Sequence, residues 1–128
     1  MAPHEHPYTE AFDAGDYVFI SGALSVDVDG TPVPGRQQSV DAALATLKRR
    51  LATAGIGLEH VVRTVYYTTD VSLRDEANTQ FFNKFEEPRP ARTFVAVSAL
   101  PYGCQVEIEA VAAKRPVRSA PLPFAAHD

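Results

Sequence analysis

Residues 105–113 read QVEIEAVAA, and apolar and polar side chains alternate along most of this stretch. Because successive side chains of a β-strand point to opposite faces of a sheet, one face receives only apolar residues. These are Val106, Ile108, Ala110 and Ala112, whereas the opposite face receives Gln105, Glu107, Glu109 and Val111. The stretch therefore predicts a strand that packs a core on one side and carries two carboxylates on the other.

The segments before this strand show their own strand and helix patterns. Apolar residues spaced by three and four predict a helix over residues 38–54, and Gly55 suits the left-handed position that ends it. The other predicted elements are a strand pair within 9–22, a strand at 61–67, a helix that starts in a capping box at 72–75 and packs through Ala77, Phe81 and Phe85, and a strand at 92–99. This order predicts an α+β domain with a mixed sheet.

Apolar residues occupy both faces of the predicted sheet. Tyr17 and Phe19 alternate with Val18 and Ile20, and the same two-sided pattern recurs at 94–97. Two helices cover only one face of such a sheet, so the other face requires a partner. We expect a second copy of the chain to supply it, which predicts an oligomer.

The composition is that of an ordinary globular domain. The chain has 128 residues, of which 45% are hydrophobic and 22% charged, and its formal net charge is −4. We predict one domain over residues 1–115 and a proline-rich tail at 116–128. The acidic balance argues against nucleic acid as a partner, and no apolar run approaches the roughly 20 residues that span a membrane. With one cysteine and no N-terminal signal pattern, we expect a cytoplasmic protein.

Arg92 is the first candidate for chemistry because it stands at the start of a strand, directly after Pro90 and Ala91. A guanidinium held there presents a planar fork that matches a carboxylate or a phosphate. The alternative is a surface arginine that pairs with Glu86 or Glu87.

Glu107 and Glu109 are the second candidates. A carboxylate on a half-buried strand can have its pKa shifted by burial and can then transfer protons. The alternative is a pair of solvated charges on an edge strand, where they would deter aggregation.

Other residues give weaker signals. His4 and His6 resemble a short metal-binding tract but lack further ligands at zinc-like spacing, so we expect no metal site. Cys104 is interpreted as a packed thiol, and the basic run at 48–50 as the solvated end of a helix. No glycine-rich phosphate loop is present in the sequence, and we expect no cofactor.

Several short motifs occur in a specific order along the chain. They are PY at 7–8, VFISG at 18–22, PART at 90–93, LP at 100–101 and VEIEA at 106–110, with Gly15, Gly55, Asp70 and Asn78 between them. From Pro7 to about Arg115, this pattern resembles the YjgF/RidA family of reactive-intermediate deaminases.

The resemblance implies a chorismate-mutase-like α+β fold, with a mainly antiparallel mixed sheet, two helices on one face, and a homotrimer with clefts between subunits. The implied reaction is the hydrolysis of enamines and imines, such as 2-aminoacrylate, to a 2-keto acid and ammonia. In this sequence Arg92 would bind the substrate carboxylate and Glu107 would activate the attacking water. Tyr8 would close the cleft from a neighbouring subunit, and Ser21 and Asn78 would line or support it.

A few positions differ from the usual pattern of that family. Phe94 stands where many deaminases have cysteine, Ala23 and Glu10 replace glutamines, and Arg89 replaces an apolar residue. These differences imply a reshaped and more cationic pocket in which Phe94 contacts the substrate. They leave open a non-catalytic, small-molecule-binding role, whereas the ribonuclease role also attached to this family does not suit an acidic chain.

Overall fold

A computed structural model describes residues 6–115, and the predicted tail at 116–128 lies outside this range. The elements are β1 (Ala11–Asp13), β2 (Tyr17–Leu24), α1 (Arg36–Thr53), β3 (Val61–Thr68), α2 (Arg74–Lys84), β4 (Ala91–Ala96) and β5 (Val106–Ala113). The five strands form one sheet in the order β1-β2-β5-β3-β4. Strands β3 and β4 run parallel, and the other neighbouring pairs run antiparallel. The predicted α+β fold with a mixed sheet is confirmed.

Strand β5 lies at the centre of the sheet, and its apolar face is the floor of the core. Val106, Ile108 and Ala112 are at most 1% exposed, as the alternation predicts. Helix α1 covers β2 and β5 with Leu47 and Leu51, which are fully buried. The two helices therefore share one face of the sheet, called here the covered face.

Helix α2 starts in a different way from the prediction. A short 3₁₀ turn (Val71–Leu73) precedes it, and the side chain of Asp70 accepts a hydrogen bond of 2.9 Å from the Ser72 amide. The predicted capping box, with Ser72 as the cap, is wrong. Asp70 caps the 3₁₀ turn because it lies in an extended conformation just before it, so its carboxylate reaches the free amide, and α2 then follows Leu73 without a side-chain cap of its own.

The other face of the sheet, called here the open face, remains uncovered within residues 6–115. Phe12, Tyr17 and Phe19 are 58%, 49% and 50% exposed on it, and Val95 is exposed further along the sheet. The two-sided apolar pattern is therefore confirmed. Exposed aromatic residues grouped in this way are typical of a surface that packs on another chain.

Candidate functional site

Arg92 lies on the covered face of the edge strand β4, beside helix α2. Its Nη2 donates a hydrogen bond of 2.6 Å to Oδ1 of Asn78. Its guanidinium carbon lies 5.0 Å from the ring centre of Phe81, 5.4 Å from that of Tyr66 and 5.7 Å from that of Phe94. Aromatic faces stabilise a cation that has lost water, so among residues 6–115 the guanidinium is held by rings and an amide and not by a carboxylate.

The charge of Arg92 is only partly compensated by these contacts. Nη1 is shielded from solvent and makes no hydrogen bond within residues 6–115. Desolvation lowers the pKa of Arg92, whereas burial raises the pKa of Tyr66 well above its usual value. A cation with an unused donor can form charge-assisted hydrogen bonds to an anion. The predicted alternative, an ion pair with Glu86 or Glu87, is not the arrangement in which Arg92 is held.

A second arginine, Arg89, lies in the loop that precedes β4 and is held there by local contacts. Arg89 donates to the carbonyl oxygens of Phe85 and Phe82 at 3.0 and 3.3 Å, and pairs with Glu87 at 3.2 Å. Its guanidinium also stacks 4.5 Å from the ring centre of Phe82. Arg89 thus fixes the loop ahead of Arg92 through these local contacts.

Glu107 occupies the open face near the start of β5, where it is partly buried. Burial is the main cause that raises its pKa, the neighbouring Glu109 raises it further, and Arg50 opposes both effects. A carboxylate whose pKa is raised is a stronger base than an ordinary carboxylate, and its acid form can return the proton. Because β5 is a central strand, the interpretation of these glutamates as edge charges is wrong.

Glu107 and Glu109 differ in their partners although they share a face. Glu109 accepts a hydrogen bond from the hydroxyl of Tyr67, which raises the pKa of Tyr67 to about 12. Glu107 instead lies against Gly22, where a Cβ atom would overlap its carboxylate. The absence of a side chain at Gly22 therefore makes room for the carboxylate of Glu107.

Ser21 ties the N-terminal segment, which carries Tyr8, to β2. The amide of Ser21 donates to the Glu10 carbonyl at 3.0 Å, and its hydroxyl donates to the Thr9 carbonyl at 2.7 Å. These bonds hold the N-terminal segment along β2. The ring of Tyr8, in the same segment, is 43% exposed. Ser21 thus anchors the segment through its hydroxyl.

The candidate residues fall into two groups, and the central residues of these groups, Arg92 and Glu107, lie on opposite faces of the sheet. The first, called the Arg92 half-site, consists of Arg92, Asn78, Phe94, Tyr66 and Phe81. The second, called the Glu107 half-site, consists of Glu107, Gly22, Ser21, Tyr8, Glu10 and Arg50. Register places Tyr66 and Phe94 on the same face as Ile108, whereas Glu107 points away from that face. One copy of the chain therefore does not bring Arg92 and Glu107 to a common pocket.

Sequence reasoning misjudged or missed several of these residues. Arg50 was assigned to a solvated helix end, but it is 4% exposed and lies on the face of α1 that carries Leu47. Its spacing of three from Leu47 and seven from Ala43 places it on the core side, which is the signal that could have revealed it.

Ala23 is fully buried against β5, so it belongs to the core. Cys104 is a buried free thiol, as predicted.

Two other classes of site can be considered for the described part of the chain. Between residues 6 and 115, no three or more His, Cys, Asp and Glu side chains are grouped so that they could hold a metal ion. Neither described helix combines the length and the apolar character needed to cross a membrane.

Comparison with known proteins places this geometry in a family. The family model for Endoribonuclease L-PSP matches residues 1–114. The chain belongs to the YjgF/RidA family. Members of this family have names that indicate different activities, and they include imine deaminases.

Three YjgF/RidA relatives illustrate that range. The 2-iminobutanoate/2-iminopropanoate deaminase of Bos taurus is 33% identical over 118 residues, which cover 91% of this chain and 86% of the bovine protein. A Thermotoga maritima structure described as a putative endoribonuclease has a TM-score of 0.80 and 35% identity, and the match covers 86% of this chain and 88% of that one. The structure of E. coli TdcF with bound serine has a TM-score of 0.75 and 28% identity, covering 87% and 91%.

Proposed function

We propose that this protein is an enamine and imine deaminase that hydrolyses intermediates of the 2-aminoacrylate type to 2-keto acids and ammonia. The observation that carries the proposal is the cation at Arg92, which is surrounded by aromatic rings and whose Nη1 makes no hydrogen bond to any residue between 6 and 115. That arrangement suits a small carboxylate. The bovine relative named for this reaction and the serine bound to the E. coli relative support the same class of ligand.

The proposed mechanism divides the work between the two half-sites. Arg92 binds the substrate carboxylate, and the enamine tautomerises to an imine. A water molecule attacks the imine carbon while Glu107 accepts one of its protons and passes it to the imine nitrogen, which gives a carbinolamine. Glu107 then transfers the proton of the carbinolamine hydroxyl to the nitrogen as the C–N bond breaks and the C=O bond forms, which releases ammonia and the 2-keto acid. Positioning and one proton shuttle suffice for an electrophile of this kind, and a general base contributes about 10²- to 10⁴-fold.

The site we propose lies between copies of the chain, in a homotrimer. Arg92 is on the covered face at one edge of the sheet, and Glu107 is on the open face at its centre. Packing the open face, with Tyr17 and Phe19, on a second copy would bury its aromatic residues. It would also let Glu107 of one protomer face Arg92 of another.

Replacing Arg92 by alanine tests the proposed function directly. With 2-iminopropionate generated in the assay, we expect the wild-type protein to accelerate keto-acid release. Arg92→Ala should lower kcat/KM by about 100-fold or more because it removes the carboxylate contact. Arg49→Ala, an exposed arginine on α1, is the matched control and should retain wild-type rates. Equal rates for Arg92→Ala and the wild-type protein would reject the mechanism.

A non-catalytic carboxylate receptor is the second candidate function. The ring of Phe94 lies over the guanidinium of Arg92 and gives the site an apolar surface. Such a surface favours a site that binds an apolar acid without converting it. Calorimetry distinguishes the two functions. Micromolar binding of a 2-keto acid, lost in Arg92→Ala and accompanied by no imine hydrolysis, would select the receptor.

A further inference from the structure

Arg50 is a charged side chain buried in the core layer beneath α1. It is 4% exposed and lies one turn after Leu47 on the same helical face. An arginine keeps its charge under all ordinary conditions, so its burial costs free energy unless every donor finds an acceptor. The partners of Arg50 therefore indicate which parts of the structure this buried side chain holds together.

Those partners belong to two separate segments of the chain. Nη1 of Arg50 donates to the carbonyl oxygens of Ser21 and Gly22 at 2.9 and 3.1 Å. Nη2 forms an ion pair of 3.2 Å with Glu10 and a contact of 3.5 Å with the hydroxyl of Tyr8. The guanidinium carbon also lies 5.8 Å from the ring centre of Tyr8. One side chain thus joins α1 to the β2 strand and to the N-terminal segment.

The carbonyl groups that Arg50 binds belong to a bulge in β2. Ile20 pairs with Ala110 and Ala23 with Ile108, so two residues of β2 lie opposite the single Glu109 of β5. A bulge interrupts the regular ladder and bends the strand locally. Arg50 binds both carbonyl oxygens of the bulge, and thereby fixes the backbone of Gly22 against which the Glu107 carboxylate lies.

Glu107 also experiences the charge of Arg50. The titratable groups that face Glu107 are Glu109 on its own strand, Tyr67 opposite it on β3, and Arg50 from α1, which in turn binds Glu10 and Tyr8 of the N-terminal segment. Burial and Glu109 raise the pKa of Glu107, and Arg50 is the cation that opposes them.

We propose that Arg50, together with its partner Glu10, is a positioning residue of the Glu107 half-site. Arg50 holds the bulge at Gly22 in the place from which Glu107 reaches the substrate. It also holds the N-terminal segment in the place from which Tyr8 reaches the substrate. This inference rests on the proposed deaminase function and extends it. Arg50 itself touches no reacting atom. It acts through the two segments that it joins, and Glu10 sets how firmly the N-terminal one is held.

The test compares Arg50→Met with Arg49→Met, its exposed neighbour on the same helix. Arg50→Met should raise KM on the order of tenfold because Tyr8 is released. A nearby positive charge favours the ionised carboxylate, so its loss raises the pKa of Glu107 further. If ionised Glu107 accepts the proton from water, the acidic limb of the kcat/KM profile should then move to higher pH. Arg49→Met should match the wild-type protein in both respects.

Two further variants separate positioning from a purely structural role. Arg50→Lys keeps the charge but not the fork that reaches all its acceptors, so it should restore the pH profile and leave KM raised. Glu10→Gln keeps the bulge contacts, so it should raise KM about threefold with an unchanged acidic limb. If Arg50→Met folds and retains the wild-type KM and pH profile, the inference is overturned. If it does not fold, an unchanged KM in Glu10→Gln overturns it.

A readout that needs no turnover separates this inference from the proposed function. The carboxyl carbon of Glu107, identified by comparison with Glu107→Gln, can be titrated by ¹³C NMR in Arg50→Met and Arg49→Met. An upward shift of its pKa in Arg50→Met alone supports the inference even if the wild-type protein hydrolyses no imine. Identical titrations in both variants overturn it, whether or not the protein is a deaminase.

Discussion

The two half-sites hold their charged groups by different means. Arg92 rests on the rings of Tyr66, Phe81 and Phe94, which also pack against the core. Glu107 has no such support, and its position depends on the bulge at Gly22 and on a chain of polar contacts. The half-site to which we assign carboxylate binding is therefore built from the same contacts that stabilise the fold. The half-site to which we assign proton transfer is held instead by the bulge and by the hydrogen bonds of Arg50.

The largest effect we expect comes from combining the two half-sites across protomers. Arg92→Ala and Glu107→Gln should each be almost inactive, since each lacks one half. When equal amounts are unfolded and refolded together, about a quarter of the intersubunit sites receive an intact Arg92 and an intact Glu107 from different copies. Imine hydrolysis should return to roughly that fraction of the wild-type rate.

The control for this experiment is each variant refolded alone, with light scattering to verify that all samples have the same assembly. Differently tagged chains show that mixed assemblies have formed. Verified mixed assemblies without any recovered activity would place both residues within one protomer, contrary to the arrangement proposed here.

The next largest effect should come from Gly22→Ala, which changes the Glu107 half-site alone. The added Cβ would overlap the carboxylate of Glu107, which must then rotate away. A displacement of about 1 Å can cost about 100-fold in rate, so we expect kcat to fall by about that factor with little change in the melting temperature.

Gly55→Ala is the control for that prediction, because we expect it to lower stability without lowering kcat. Gly55 follows α1 with φ of +76° and nothing within 4 Å of a built Cβ. Alanine there should cost about 1 kcal/mol of stability through backbone strain and leave kcat unchanged. A Gly22→Ala protein that loses stability but not activity would show that the contact with Glu107 is unimportant for the reaction.

Most of the fold could be predicted from regular patterns in the sequence. Periodicity identified the strand around Glu107 and the helix around Leu47, because burial on one face imposes a regular spacing. It also predicted that both faces of the sheet would be apolar, from Tyr17 and Phe19 against Val18. The helix cap was misassigned because Ser72 and Asp70 can both cap, and only the backbone conformation selects between them.

The candidate site was less accessible to sequence reasoning. Arg92 and Glu107 were predicted, but not that they lie on opposite faces, because this depends on the parallel pairing of β3 and β4. The spacing of Arg50 from Leu47 indicates its burial, but its contacts with Gly22 and Tyr8 join residues that are 28 and 42 positions apart. Contacts of this kind follow from the packing of α1 on a bulged strand, which no local pattern encodes.

The smallest effect that we expect concerns Asn78, and it refines the account of the Arg92 half-site. Asn78 accepts a hydrogen bond from Nη2 of Arg92, so Asn78→Ala should let the guanidinium turn and raise KM about tenfold with a smaller change in kcat. Asn83→Ala, an exposed asparagine on the same helix, should have no effect.

Asn78→Asp then distinguishes orientation from charge at the Arg92 half-site. The aspartate keeps an acceptor for Nη2, but it also neutralises Arg92 and competes with the substrate carboxylate. If Arg92 binds a carboxylate, KM in Asn78→Asp should exceed that in Asn78→Ala, and added salt should narrow the difference because screening weakens the competing ion pair. A KM restored to the wild-type value in Asn78→Asp would mean that Arg92 needs only to be oriented, and that its positive charge does not bind the substrate.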